Sequence, residues 1–126
     1  MKKILLCITL LLLLSLKVCA MTFDEAFQES GRKPMLVLVY AKWADNYQTY
    51  LDTFKTIEKN LGSVYNYVEL DITTADAKAY NKRYQIYPNL PYIMMFRNEG
   101  KISRFIQNNC AISPSCTISK AKSFIQ

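Results

Sequence analysis

The chain has 126 residues, 51% hydrophobic and 21% charged, an ordinary globular composition with enough length for one domain around one core. Its formal charge is +6, from 16 basic and 10 acidic residues, and it contains no histidine. That absence excludes histidine general bases, Cys-His and Ser-His nucleophile pairs, and histidine-ligated metals.

The first twenty residues read as a targeting segment. Lys2 and Lys3 precede a 13-residue apolar run, Ile4 to Leu16. Val18 and Ala20 suit the two specificity positions of a signal-peptidase cut after Ala20. The run is shorter than the ~20 residues a bilayer span needs, and Lys17 interrupts it. An uncleaved membrane anchor is the alternative. A lipoprotein signal through Cys19 fits less well, because Lys17 and Val18 stand where small neutral residues are usual. Residues 1–20 are therefore expected to be a signal peptide. Residues 21–126 are the expected mature domain, periplasmic or secreted. Cleavage removes Lys2, Lys3 and Lys17 and no acid, so the mature charge is 13 − 10 = +3. That charge is spread along the chain without a Lys/Arg block, which is no footprint for nucleic acid. Cys7 and Cys19 leave with the signal. Cys110 and Cys116 remain, an even pair that an oxidising compartment favours as a disulfide.

The elements follow in order. Thr22 and Glu25 form a capping-box pattern, predicting a helix from Phe23 to about Ser30 with Gly31 as its stop. Met35 to Ala41 is almost wholly apolar, as in a strand buried on both faces. A helix is predicted from Tyr47 to about Asn60, capped by Asp45 or Asn46, with Tyr50, Leu51, Phe54, Ile57 and Leu61 as its inner stripe. Val64–Ile72 is a second strand. A third helix runs from Ala75 to Tyr84, with Thr73 or Thr74 as cap. "QIYPNLP" is a loop. Tyr92–Arg97, the turn Asn98–Gly100 and Lys101–Gln107 form a hairpin, its second arm an edge with Ile102, Arg104 and Ile106 alternating. A last helix starts near Pro114 or Thr117, with Ser113 as a possible cap. Strands separated by helices imply parallel pairing, and the hairpin adds antiparallel strands.

This order, with its residues, resembles the thioredoxin superfamily. "KPMLVLVYAKWADNY" is similar to that family's strand and Trp-Cys-Gly-Pro-Cys turn. "YVELDITTADAKAYNKRYQI" is similar to the next strand and helix. "LPYIMMFRNEGK" is similar to the cis-proline segment and terminal hairpin, with Pro91 at the cis-proline position. The resemblance implies a three-layer α/β/α fold with a central mixed sheet, a C-terminal antiparallel hairpin and a final helix. Three departures accompany it. Ala44 and Tyr47 stand where the two cysteines would be. Leu38 stands where many thioredoxins bury an aspartate. The loop before Pro91 is about one residue longer, with an extra Pro88. Dithiol chemistry needs a thiolate at a helix N-terminus and a second thiol one turn away, and Ala44 and Tyr47 supply neither.

Several residues admit two readings. Trp43 and Tyr47 either form an amphipathic patch beside the Pro91 loop or pack against neighbouring loops. Tyr80, Tyr84 and Tyr87, and likewise Tyr65 and Tyr67, either offer a stacking surface or fill the core. Asp45–Asn46 reads as a helix cap, since one acid without a second ligand makes no metal site. Cys110 and Cys116 either staple the last helix, a closure worth about 2.4 kcal/mol in the chain-entropy account, or form a relocated redox pair. The expectation is an exported thioredoxin-like protein without a dithiol site. It binds an extended polypeptide or protein partner non-covalently through Trp43, Ala44, Asp45, Asn46, Tyr47, Leu90 and Pro91, by strand addition at the Leu90 backbone. No catalytic residue, metal or cofactor is expected, and no nucleic-acid partner. The membrane is met only through an uncleaved N-terminus, and the chain is expected to be monomeric. The alternative is a thiol-disulfide oxidoreductase or redox-homeostasis protein using Cys110 and Cys116.

Intact-mass measurement of protein from the envelope fraction tests the N-terminal reading. The expected mass is that of a chain beginning at Met21, and a full-length mass would support an anchor instead.

Overall fold

The computed structural model describes residues 21–126, so the expected signal peptide, residues 1–20, lies outside the described residues. The layout follows from one strand. β1 (Met35–Tyr40) is buried at every position. It pairs in parallel with β2 (Asn66–Asp71) and antiparallel with β3 (Tyr92–Arg97). β4 (Ile102–Ile106) pairs antiparallel with β3, giving the sheet order β2-β1-β3-β4.

Strand side chains alternate between faces, so β1 feeds two cores. Leu36, Leu38 and Tyr40 meet α2 (Tyr47–Leu61) and α5 (Pro114–Phe124) through Phe54, Ile57, Ala121 and Phe124. Met35, Val37 and Val39 meet α1 (Phe23–Glu29) and α3 (Asp76–Asn81) through Phe23, Ala26, Ala77 and Tyr80. The result is the expected three-layer α/β/α arrangement.

Local chemistry holds the helices in place. The Thr22 hydroxyl accepts from the Glu25 N–H at 3.2 Å, and the Glu25 carboxylate accepts from the Thr22 N–H, completing the capping box. Asp76 of α3 accepts from the Phe23 N–H at 3.0 Å, so α3 also caps α1. The hairpin turn places Asn98 and Glu99 at φ 58° and 57° and Gly100 at φ 80°. A Cβ on Gly100 would lie 2.4 Å from a ring carbon of Phe27. Only glycine lets α1 sit directly on that turn.

Four expectations need correction. The second strand starts at Asn66, because Gly62–Val64 forms a 3₁₀ turn and Tyr65 turns into the core, donating to the Ala121 carbonyl at 2.6 Å. The third helix is shorter, and Thr73 and Thr74 do not cap it. Both bond back to Asp71: the Thr73 N–H and hydroxyl donate to its carboxylate, and the Thr74 hydroxyl donates to its carbonyl. On β4 the alternation fails energetically. Ile106 is buried opposite Ile93, but Ile102, opposite Arg97 at the other end of the edge strand, is exposed. Finally, α4 (Asn108–Ala111) was not foreseen, since four residues are too few to display a helical period.

The core tyrosines make the fold sensitive to alkali. Burial raises Tyr40, Tyr65 and Tyr67 from 10.0 to about 12, chiefly by desolvation of the phenolate. Desolvation also raises Tyr80, which shares a 2.9 Å hydroxyl–hydroxyl bond with Tyr92. Unfolded phenols ionise near pH 10, so above that value the folded chain holds more protons and stability falls as pH rises. The stabilisation is complete below pH 10 and is lost through pH 12, the window set by the ordinary and raised values. Tyrosinate absorbance and far-UV circular dichroism are expected to change together over that window. Ionisation of these tyrosines near pH 10 with the fold intact would contradict the burial argument.

Candidate functional site

The sheet topology brings four chain segments to one pole. β1 and β2 run parallel and end there, β3 begins there because it opposes β1, and β4 ends there because it opposes β3. The register pairs Val39 with Tyr92, so Pro91 arrives one step further, beside Tyr40. The turn Ala41–Asn46, the Asp71–Thr74 turn, Leu90–Pro91 and Gln107–Asn108 therefore share this end. Ligands of open α/β sheets commonly bind at such strand ends.

The turn after β1 is built from backbone bonds. The Ala44 N–H donates to the Ala41 carbonyl at 3.1 Å, and the Tyr47 N–H donates to the Ala44 carbonyl at 3.2 Å. Asn46 occupies the N-cap of α2 but makes no side-chain cap bond, and Asp45 is exposed. This corrects the expected cap. Asn46 has φ −105° and ψ 20°, outside the extended region that aims a cap side chain at the second and third amides.

The two aromatic candidates separate. The Tyr47 ring stacks on Tyr40, with centroids 6.3 Å apart and planes 17° apart, and packs on the core. It is a packing residue. Trp43 is 68% exposed. Leu90 is half-buried against the α1–α3 side, and Pro91 is buried. The Leu90–Pro91 peptide is cis. Two backbone groups of this segment are already engaged. The Leu90 N–H donates to the Pro88 carbonyl at 3.2 Å, and the Pro91 carbonyl accepts from the Asn108 side chain at 3.0 Å.

The tyrosine clusters also pack. Tyr80 and Tyr92 bond each other and reach the Gln85 carbonyl, and the Tyr87 N–H donates to the Tyr92 hydroxyl. Tyr65 and Tyr67 lie in the core that α2 and α5 cover. Leu38 is buried in that same core, so the position below the turn is apolar.

Two residues of this pole were not singled out from sequence. Asp71 is 4% exposed, and one of its oxygens has no partner among the described residues. The following "ITT" was its signal, an Asp whose carboxylate reaches the backbone two residues on. Asn108 had no sequence signal, because its partner, the Pro91 carbonyl, is 17 residues away.

Cys110 and Cys116 form a disulfide joining α4 to α5, with Cα atoms 5.3 Å apart. Cys110 is buried in the core, Cys116 is half-buried, and the Thr117 hydroxyl donates to the Cys110 carbonyl at 2.9 Å. Among the described residues no cluster of acids and cysteines could hold a metal ion.

No protein-family model and no curated protein sequence matches the chain. Solved structures do. A chain from the complex of ferredoxin:thioredoxin reductase with thioredoxin f2 aligns at TM-score 0.65 and 13% identity, over 82% of this chain and 88% of that one. Chloroplastic thioredoxin z aligns at 0.60 and 13%, over 87% and 96%. The thioredoxin of Fasciola hepatica aligns at 0.57 and 10%, over 77% and 88%. The chain has the thioredoxin fold.

The disulfide anchors α5, whose Phe124 and Ala121 complete one core. A Cys110→Ala/Cys116→Ala variant is expected to stay folded but lose about 2.4 kcal/mol of stability, the loop-closure value for this spacing. Urea denaturation measures it. An unchanged midpoint would mean that packing alone holds α5.

Proposed function

We propose that this is an exported thioredoxin-fold protein that binds a polypeptide or protein partner non-covalently at the Trp43 pole, without dithiol exchange there. The observation that carries the reading is Trp43 itself. It is the chain's one tryptophan, it is 68% exposed, and it sits on a turn fixed by backbone bonds. A large amphipathic ring on a rigid turn can contribute contact area without much ordering cost. The four cysteines stand at 7, 19, 110 and 116, so the turn carries no thiol.

The mode of binding differs from simple strand addition. A partner strand needs both a donor and an acceptor from the segment before Pro91. The Leu90 N–H is already used within the chain, and so is the Pro91 carbonyl beyond the proline, so Leu90 can offer a carbonyl but no N–H. Recognition is therefore proposed to run through side chains, with an apolar residue of the partner seated on Trp43 and Leu90. Ala44 leaves room beside the ring, and Asp45 and Asn46 supply a polar rim. The protein acts as a monomer in this reading.

Reduced, carboxymethylated α-lactalbumin is a suitable extended probe, and Trp43 fluorescence is a built-in reporter. Addition of the probe is expected to shift the emission saturably. Trp43→Ala, followed by calorimetry, is expected to weaken binding about tenfold or more, the loss typical of an aromatic anchor. Insulin reduction should show no turnover. Turnover that vanished in Cys110→Ser would favour the oxidoreductase alternative.

A further inference from the structure

At the opposite pole, where β1 and β4 begin and β3 ends, lies a cleft of about 370 Å³ whose lining includes Ser30, Arg32, Arg97, Asn98, Ile102 and Ile125. We propose that this cleft binds an oxyanion joined to an apolar group, a carboxylate on an alkyl chain being the simplest form. Its size falls within the range of small-molecule sites.

The charge arrangement calls for an anion. Arg97 is half-buried, and its Nε is shut off from solvent with no acceptor. Its guanidinium lies 5.2 Å from the centre of the Phe124 ring, and that of Arg104 lies 5.7 Å from the same centre. Two like charges thus share one ring. Among the described residues the only ion pair is Arg32–Glu29, so neither Arg97 nor Arg104 has a carboxylate partner. A buried or half-buried charge is costly until it is neutralised. An anion beside Arg97 would offset that cost and the repulsion from Arg104 together.

Arg32 adds a third cation at the rim. Its pair with Glu29 is exposed, hence weak, and leaves further N–H donors free. No acidic residue lines the cleft. Glu99 borders it, with a carboxylate oxygen 3.1 Å from where a Cβ on Gly31 would stand. That charge opposes the ligand and sets the sign for one variant below. The other half of the cleft is apolar. Ile102 and Ile125 are both exposed, and they offer a surface for an alkyl chain but none for a bare ion.

Octanoate titrated into the mature chain, followed by amide chemical shifts, tests this. Saturable shifts are expected at Asn98, Ile102 and Ile125, with the Trp43 indole signal unmoved. Octanoate is expected to bind about tenfold tighter than acetate, from its buried methylenes. Arg97→Gln should weaken octanoate about tenfold or more, Arg104→Gln should weaken it less, and Glu99→Gln should tighten it. Added salt should weaken it throughout. A short peptide ending in leucine, as free acid and as amide, separates the two sources. Tighter binding of the peptide acid than of octanoate would assign the ligand as a chain terminus, and the reverse order as a free acid. If Arg97→Gln does not fold, the exposed Arg104 and Glu99 variants still carry opposite expected signs. Absence of saturable shifts with both probes, or shifts indifferent to all three substitutions, overturns the proposal.

Discussion

The structure depends on β1 being buried on both faces and paired on both edges. A strand in that position has no tolerance for a slip, because a one-residue shift exchanges its two side-chain sets between the two cores. Leu36, Leu38 and Tyr40 fit the α2–α5 side, and Met35, Val37 and Val39 fit the α1–α3 side. Once that register is set, the end of β1 and the start of β3 must meet. The convergence of strand ends at the candidate pole is a consequence of the pairing and does not depend on the residues that occupy it.

The residues at that pole are therefore free to serve packing. At the turn, Tyr47 stacks on Tyr40, so a position suited to chemistry serves packing. Below it, Leu38 joins the apolar core. The buried acid at this pole, Asp71, is held by the Thr73 amide and hydroxyl at the end of β2. Its role there is to shape the turn into α3.

Much of this was legible in sequence because apolar periodicity reports burial directly. The continuous run at Met35 and the sequence order of helices and strands specify the sheet. Thr22 with Glu25 specifies the start of α1, and the structure contains that box in full. What was not legible depends on partners distant in sequence. Tyr65 stays outside β2 to reach Ala121, Asp76 caps α1 from α3, and Asn108 donates to the Pro91 carbonyl. Asp45 and Asn46 looked like caps by residue type, but the backbone angles at Asn46 decide that, and residue type does not report them. Tyr47 and Trp43 were indistinguishable as aromatics of one turn, and only the position of Tyr40 separates them.

Folding energetics accounts for Tyr47 but not for Trp43. A buried tryptophan removes on the order of 150–250 Å² from water, the main reason such a residue stabilises a fold. At 68% exposure, most of that area remains hydrated. The turn around it is closed by backbone bonds from Ala44 and Tyr47, which any residue at position 43 would permit. Nor is the ring required to shield Leu38 or Tyr40, since α2 and α5 already cover both. The stability argument thus assigns Trp43 almost nothing, while the topology puts its turn at the same pole as the Leu90–Pro91 segment. Apolar area left in water yields free energy only when something else covers it. Trp43 leaves apolar area at this pole that no group of the described residues covers.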